Sequence, residues 1–145
     1  MTRPLYTLGY TGLNPDLILQ TAVHYNALVI DTRLSPRSRH SQWDRRTLQD
    51  ALGHYYLWVG ECGNVNYANG GNIQIKDLPE CLQTIGWYAA EYDTFILLCG
   101  CQHHHECHRS TVAIALAEKL GRTIRHLNKS SIESALGRTV QPTLL

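Results

Sequence analysis

The sequence predicts one α/β domain: a mostly parallel five-stranded sheet with helices on both faces, in a three-layer Rossmann-like arrangement. Three observations carry that expectation. Short apolar runs alternate with amphipathic segments of helical length from Leu5 to Leu136, and such alternation builds βαβ units. Two of the runs, Ala27–Ile30 and Phe95–Cys99, are apolar without interruption, as strands covered on both faces are. Finally, 145 residues of 43% hydrophobic composition suffice for one core, since a chain of this size buries roughly two thirds of its unfolded surface without disulfides or metals.

Each element has its own signal. Leu5–Leu8 is a short strand stopped by Gly9. Asn14 can cap a helix with Pro15 at its first position, and Leu17, Ile18, Thr21 and Ala22 form its inward face. Ala27–Ile30 is too short for a helix and ends at Asp31. A polar loop, Thr32 to Gln42, leads to a helix over Asp44–Leu52. Tyr55–Val59 is rich in strand formers. The stretch Gly60–Asp77, rich in glycine and asparagine, is one long irregular segment, and such loops tend to be functional. Pro79–Tyr92 predicts a helix with Leu82, Ile85 and Ala89 on one face. Thr94–Cys99 is the central strand, Ser110–Leu120 a helix closed by Gly121, Thr123–Leu127 the last strand and Lys129–Leu136 a short helix. The domain core then spans about residues 5–127, with a helix and tail over 128–145.

A net charge of +1 argues against a protein that coats nucleic acid through a strongly basic surface. Five cysteines, an odd number, without an apolar leader before Leu5, do not suggest a secreted disulfide framework. No apolar run has the length of a membrane span. The expectation is a cytoplasmic protein without membrane contact, cofactor or obligatory metal; oligomeric state is not legible.

The strand ends are unusually polar, and ligands of open parallel sheets bind at that rim. Gly9-Tyr10-Thr11-Gly12 places two hydroxyls on a tight turn. Asp31-Thr32-Arg33 offers a general base and an anion clamp, with Arg37 and Arg39 close behind; the simpler alternative is a structural ion pair. Cys107-His108-Arg109-Ser110 enters a helix, where backbone N–H groups, the helix dipole and an arginine suit a phosphate or carboxylate. Cys107 is the candidate nucleophile, because a helix start and a neighbouring arginine favour the thiolate. Cys99, closing an apolar strand, suits the core. Trp43, expected in a loop beside arginines, can stack on a base or cover the core. Cys99, Cys101, His103, His104, His105, Cys107 and His108 are potential metal ligands, but lack the two spaced pairs of a structural zinc site.

Together these motifs resemble the family called domain of unknown function 488. Thr7, Gly9 and Thr11 match its T-x-G-x-[ST] turn. Asp31, Arg33, Pro36 and Ser38 match D-x-R-x-x-P-x-S, and Cys99, Cys107, His108 and Arg109 match C-x-E-x₅-C-H-R. Cys101 stands at the family's acidic position, and Cys62-Gly63-Asn64 replaces its leucine–glycine–glycine loop. The resemblance implies the same α/β fold and rim residues, and names no reaction.

The leading expectation is a site for a phosphorylated ligand, either a small molecule such as a nucleotide or a nucleic-acid backbone. Arg33 and Arg109 would anchor the anion, with His108 and Ser110 beside them. Asp31, Tyr10 and Thr11 would orient the reacting group, and Cys107 would supply a nucleophile if chemistry follows. The alternatives are a non-catalytic nucleic-acid-binding module using the arginine loop and Trp43, and a thiol or metal protein using the Cys/His segment.

Overall fold

Five strands, β1 (Leu5–Gly9), β2 (Ala27–Asp31), β3 (Tyr56–Trp58), β4 (Thr94–Cys99) and β5 (Ile124–Leu127), form one sheet in the order β3-β2-β4-β1-β5. Every neighbouring pair is parallel. The computed structural model describes residues 3–38, 40–67, 71–100 and 107–137. The predicted α/β class is the observed one.

The two uninterrupted apolar runs became β2 and β4, two of the three interior strands, and every residue of both is buried. Between the strands run α1 (Pro15–Tyr25), α2 (Arg45–Leu52), α3 (Leu78–Gly86) and α4 (His108–Leu120), and α5 (Lys129–Ala135) follows β5. Asn14 caps α1 as expected, its side chain accepting from the Leu17 amide. One core cluster packs α1, α2 and α5 on the sheet through Ile18, Ala22, Leu48 and Ile132. The other packs α3 and α4 through Ile85, Val112, Ala113 and Leu116. The chain therefore leaves β2 over one face and β4 over the other. Their exits diverge between two adjacent strands, which is where open α/β sheets form a crevice.

Three local differences bear on function. The third helix ends at Gly86 rather than Tyr92, and turns follow it. The fourth begins at His108, two residues before the expected Ser110, with Cys107 as its N-cap. Cys62 and Cys81 form a disulfide across 19 residues, correcting the expectation drawn from the cysteine count. The irregular segment brings the start of α3 back against the short turn Gly60–Cys62 after β3, where both cysteines are buried. Disulfides persist in oxidising compartments, so cysteine usage no longer argues for a reducing one. No helix among the described residues is long and apolar enough to cross a membrane.

Candidate functional site

The end of β2 is built around a buried carboxylate. Asp31 is fully buried, and its Oδ1 accepts from the Arg33 backbone amide at 3.2 Å and from Arg33 Nε at 2.8 Å. Its Oδ2 accepts from an Arg33 terminal nitrogen at 2.6 Å and from the Tyr56 hydroxyl at 2.5 Å. Tyr56 reaches it because the β2–β3 register pairs Val29 with Tyr56 and Asp31 with Trp58, making Tyr56 a diagonal neighbour on the same sheet face. Burial, the negative charge of Asp31 and the hydrogen bond to it raise the Tyr56 pKa well above the usual phenol value. Burial alone would lower the Arg33 pKa, but the hydrogen bonds and charge of Asp31 outweigh it and the value is raised. Arg33 is therefore a permanent cation in a fixed orientation. Asp31 holds it there rather than standing in the cavity as a base.

The loop after β2 is fixed as well. The Trp58 indole donates to the Arg33 carbonyl at 2.8 Å, and the guanidinium of Arg45 lies 4.8 Å from the Trp58 ring centroid. The Arg45 amide donates to the Pro36 carbonyl, and Asp44 accepts from the Ser38 amide at 2.8 Å. Gly63 packs against Leu34 so closely that a β-carbon there would overlap the Leu34 backbone.

At the end of β1, the Tyr10 hydroxyl accepts from the remaining terminal nitrogen of Arg33 at 3.3 Å. Its ring stacks on Trp43 with centroids 4.3 Å apart. Trp43 is 4% exposed, so of its two expected roles it takes that of covering the core. The ring is buried because α2 draws the preceding turn onto the sheet. Thr11 is exposed and its hydroxyl donates to the Gly100 carbonyl at 2.9 Å, tying the ends of β1 and β4 together.

Across from these residues lies the start of α4. The His108 ring nitrogen Nε2 is 2.8 Å from the Thr32 carbonyl. A carbonyl oxygen only accepts, so Nε2 carries the proton. The other nitrogen, Nδ1, then offers its lone pair toward Cys107 Sγ at 3.7 Å. Arg109 is 1% exposed, and its terminal nitrogen donates to Cys99 Sγ at 3.1 Å.

These strand ends enclose a cavity of about 460 Å³ lined in part by Tyr10, Arg33, Arg37, Asn64, Cys107 and His108. Leu34, Ser35, Tyr67, Cys99 and Gly100 complete its described wall, which contains no aspartate or glutamate. Arg37 is exposed and has no carboxylate partner among the described residues. This volume lies within the usual range for small-molecule sites, about 300–1,000 Å³.

The chain matches no family model, no curated protein and no solved structure. The site is read from its own geometry.

Of the residues proposed from sequence, Tyr10, Arg33, Cys107 and His108 line the cavity, Asp31 supports it from behind and Thr11 braces its rim. Arg109 is not among the lining residues, and neither is Ser110, which borders a neighbouring groove. Arg109 falls in register with Val112, Ala113 and Leu116, the buried stripe of α4. Tyr56 and Trp58 were not proposed, because their part depends on strand register. Asn64 and Tyr67 come from the irregular segment whose length and composition marked it as functional. No cluster of three or more His, Cys, Asp or Glu among the described residues is placed to hold a metal. Arg39, Cys101, the run His103–His105 and Glu106 lie outside the described residues.

Proposed function

We propose that the strand-end cavity binds a phosphorylated small molecule, with Arg33 and Arg37 as its cationic wall. The observation that carries this reading is the charge of the lining: two arginines and a histidine, without a carboxylate among the described residues. Asp31 neutralises much of the Arg33 charge but uses only part of its donor set. Of five guanidinium N–H groups, three are engaged by Asp31 and Tyr10, leaving two for a ligand oxygen. Arg37 adds a charge that has no carboxylate partner among the described residues, and the start of α4 adds its dipole. A nucleotide-sized ligand fits the volume better than a nucleic-acid backbone, because burial of Trp43 withdraws the aromatic platform on which a base would stack.

Calorimetric titration with inorganic phosphate and with nucleoside monophosphates tests it. The parent should bind with one-to-one stoichiometry, and Arg37→Ala should weaken binding roughly tenfold, the loss of one charge-assisted contact. Absence of saturable binding in the parent would refute the reading.

A second reading, thiol chemistry in the same cavity, is favoured by the orientation of His108. Its Nδ1 faces Cys107 Sγ while Nε2 is held by Thr32, the arrangement of a nucleophile, a base and a group orienting the base. Cys107 is 2% exposed, so the test is relative: near neutral pH its alkylation by iodoacetamide should be faster in the parent than in His108→Gln. Equal rates in the two proteins would remove His108 as the base.

A further inference from the structure

A second cavity, of about 380 Å³, opens beside the first, and Cys107 belongs to the walls of both. Its character is different. Ile73, Ile114 and Ile124 line it together with Ser110, Thr111 and His126, and no Asp, Glu, Lys or Arg lines it among the described residues. Two of these isoleucines are placed where burial does not explain them. Ile114 is 56% exposed and Ile73 is 38% exposed. Ile114 lies on the outer side of α4, among the exposed Thr111, Glu118 and Lys119, where a polar residue is the ordinary choice. Sharing Cys107 with the cationic cavity, an apolar groove of this kind fits the second half of one ligand.

We propose that the ligand is amphiphilic: a phosphate monoester whose head occupies the Arg33–Arg37 cavity and whose apolar arm passes Cys107 into the groove between α4 and β5. This rests on the anion-site reading above and adds the chemistry of the esterified group. The two cavities set opposite requirements. The first rewards charge and hydrogen bonding. The second rewards apolar area, and its hydroxyls at Ser110 and Thr111 lie near the junction, where the ester oxygen would pass.

The test is affinity against arm length. Methyl, butyl and hexyl phosphate, all monoesters with the same head, are titrated calorimetrically into the full chain. Each methylene that enters the groove should raise affinity about threefold to fourfold, so hexyl phosphate should bind at least tenfold more tightly than methyl phosphate. In Ile114→Gln the hexyl-to-methyl ratio should fall to within about twofold of unity. A thermal melt of the variant checks that it is folded, as expected for a change at an exposed position. If methyl phosphate binds and hexyl phosphate binds no better, the amphiphilic ligand is wrong and the anion site stands. If the ratio is large but survives Ile114→Gln, the arm lies elsewhere and the proposal is equally overturned. If no monoester binds, both readings fail.

Discussion

Two arginines stand at the rim of this sheet, and the fold treats them in opposite ways. Arg33 follows β2, is gripped edge-on by Asp31 and still lines the cavity. Arg109 follows β4 by way of a helix start, is 1% exposed and turns toward Cys99. Local sequence made them look alike, each a cation close to a strand end. What separates them is the geometry of the element that carries them. Arg33 lies in a loop and can curl back on Asp31 two residues earlier. Arg109 lies inside α4, and helical phase puts it on the stripe of Val112, Ala113 and Leu116. A helix start is a place for an anion, but the helix decides which of its side chains can reach that anion.

The largest effect should come from removing the grip on Arg33. Asp31→Ala leaves a buried guanidinium without its carboxylate, and urea unfolding should show a loss of about 3–5 kcal/mol. A loss under 1 kcal/mol would mean that Arg33 can swing to solvent and is not fixed. Arg109→Ala should cost about 2–4 kcal/mol, as truncation of a large buried side chain does. Near-parental stability would place Arg109 in the cavity after all and erase the contrast. Cutting the Cys62–Cys81 bond, which anchors the wall carrying Asn64 and Tyr67, should cost about 3 kcal/mol for a loop of this length, read as the difference between oxidised and reduced protein.

A smaller effect separates the two sites by pH. Tyr56 has its pKa raised by burial and by Asp31, so the folded state keeps the phenol protonated where the unfolded chain would release it. Its contribution is whole below about pH 10 and declines above it, by up to about 1.4 kcal/mol per pH unit. Tyr56→Phe should flatten that alkaline decline, seen by urea melts between pH 9 and 11. An unchanged slope would mean that Tyr56 does not titrate with unfolding. Arg37→Ala, at an exposed position, should change stability by no more than about 0.5 kcal/mol while weakening phosphate binding.

Much of the fold was legible because its signals are local. The uninterrupted runs at Ala27–Ile30 and Phe95–Cys99 became interior strands, and Asn14-Pro15 became a helix start. The rim followed from topology, since parallel strands alternating with helices bring every strand end to one side. The rest depended on contacts that sequence spacing does not contain. Tyr56 reaches Asp31 through a strand register, Cys62 meets Cys81 through the path of an irregular loop, and Trp43 is covered by the packing of α2. The burial of Arg109 is different. Its phase could have been read from Val112, Ala113 and Leu116 once the helix was extended back to His108, and the two-residue error in that start hid it.

The most direct test of the account is a phosphate titration followed by amide chemical shifts. The strand-end site predicts saturable shifts concentrated at Arg33–Arg37, Asn64, Cys107 and His108, with the amides at the opposite ends of the strands, Leu5, Ala27 and Thr94, unmoved. Shifts centred away from that rim, or none at all as phosphate is raised, would contradict it.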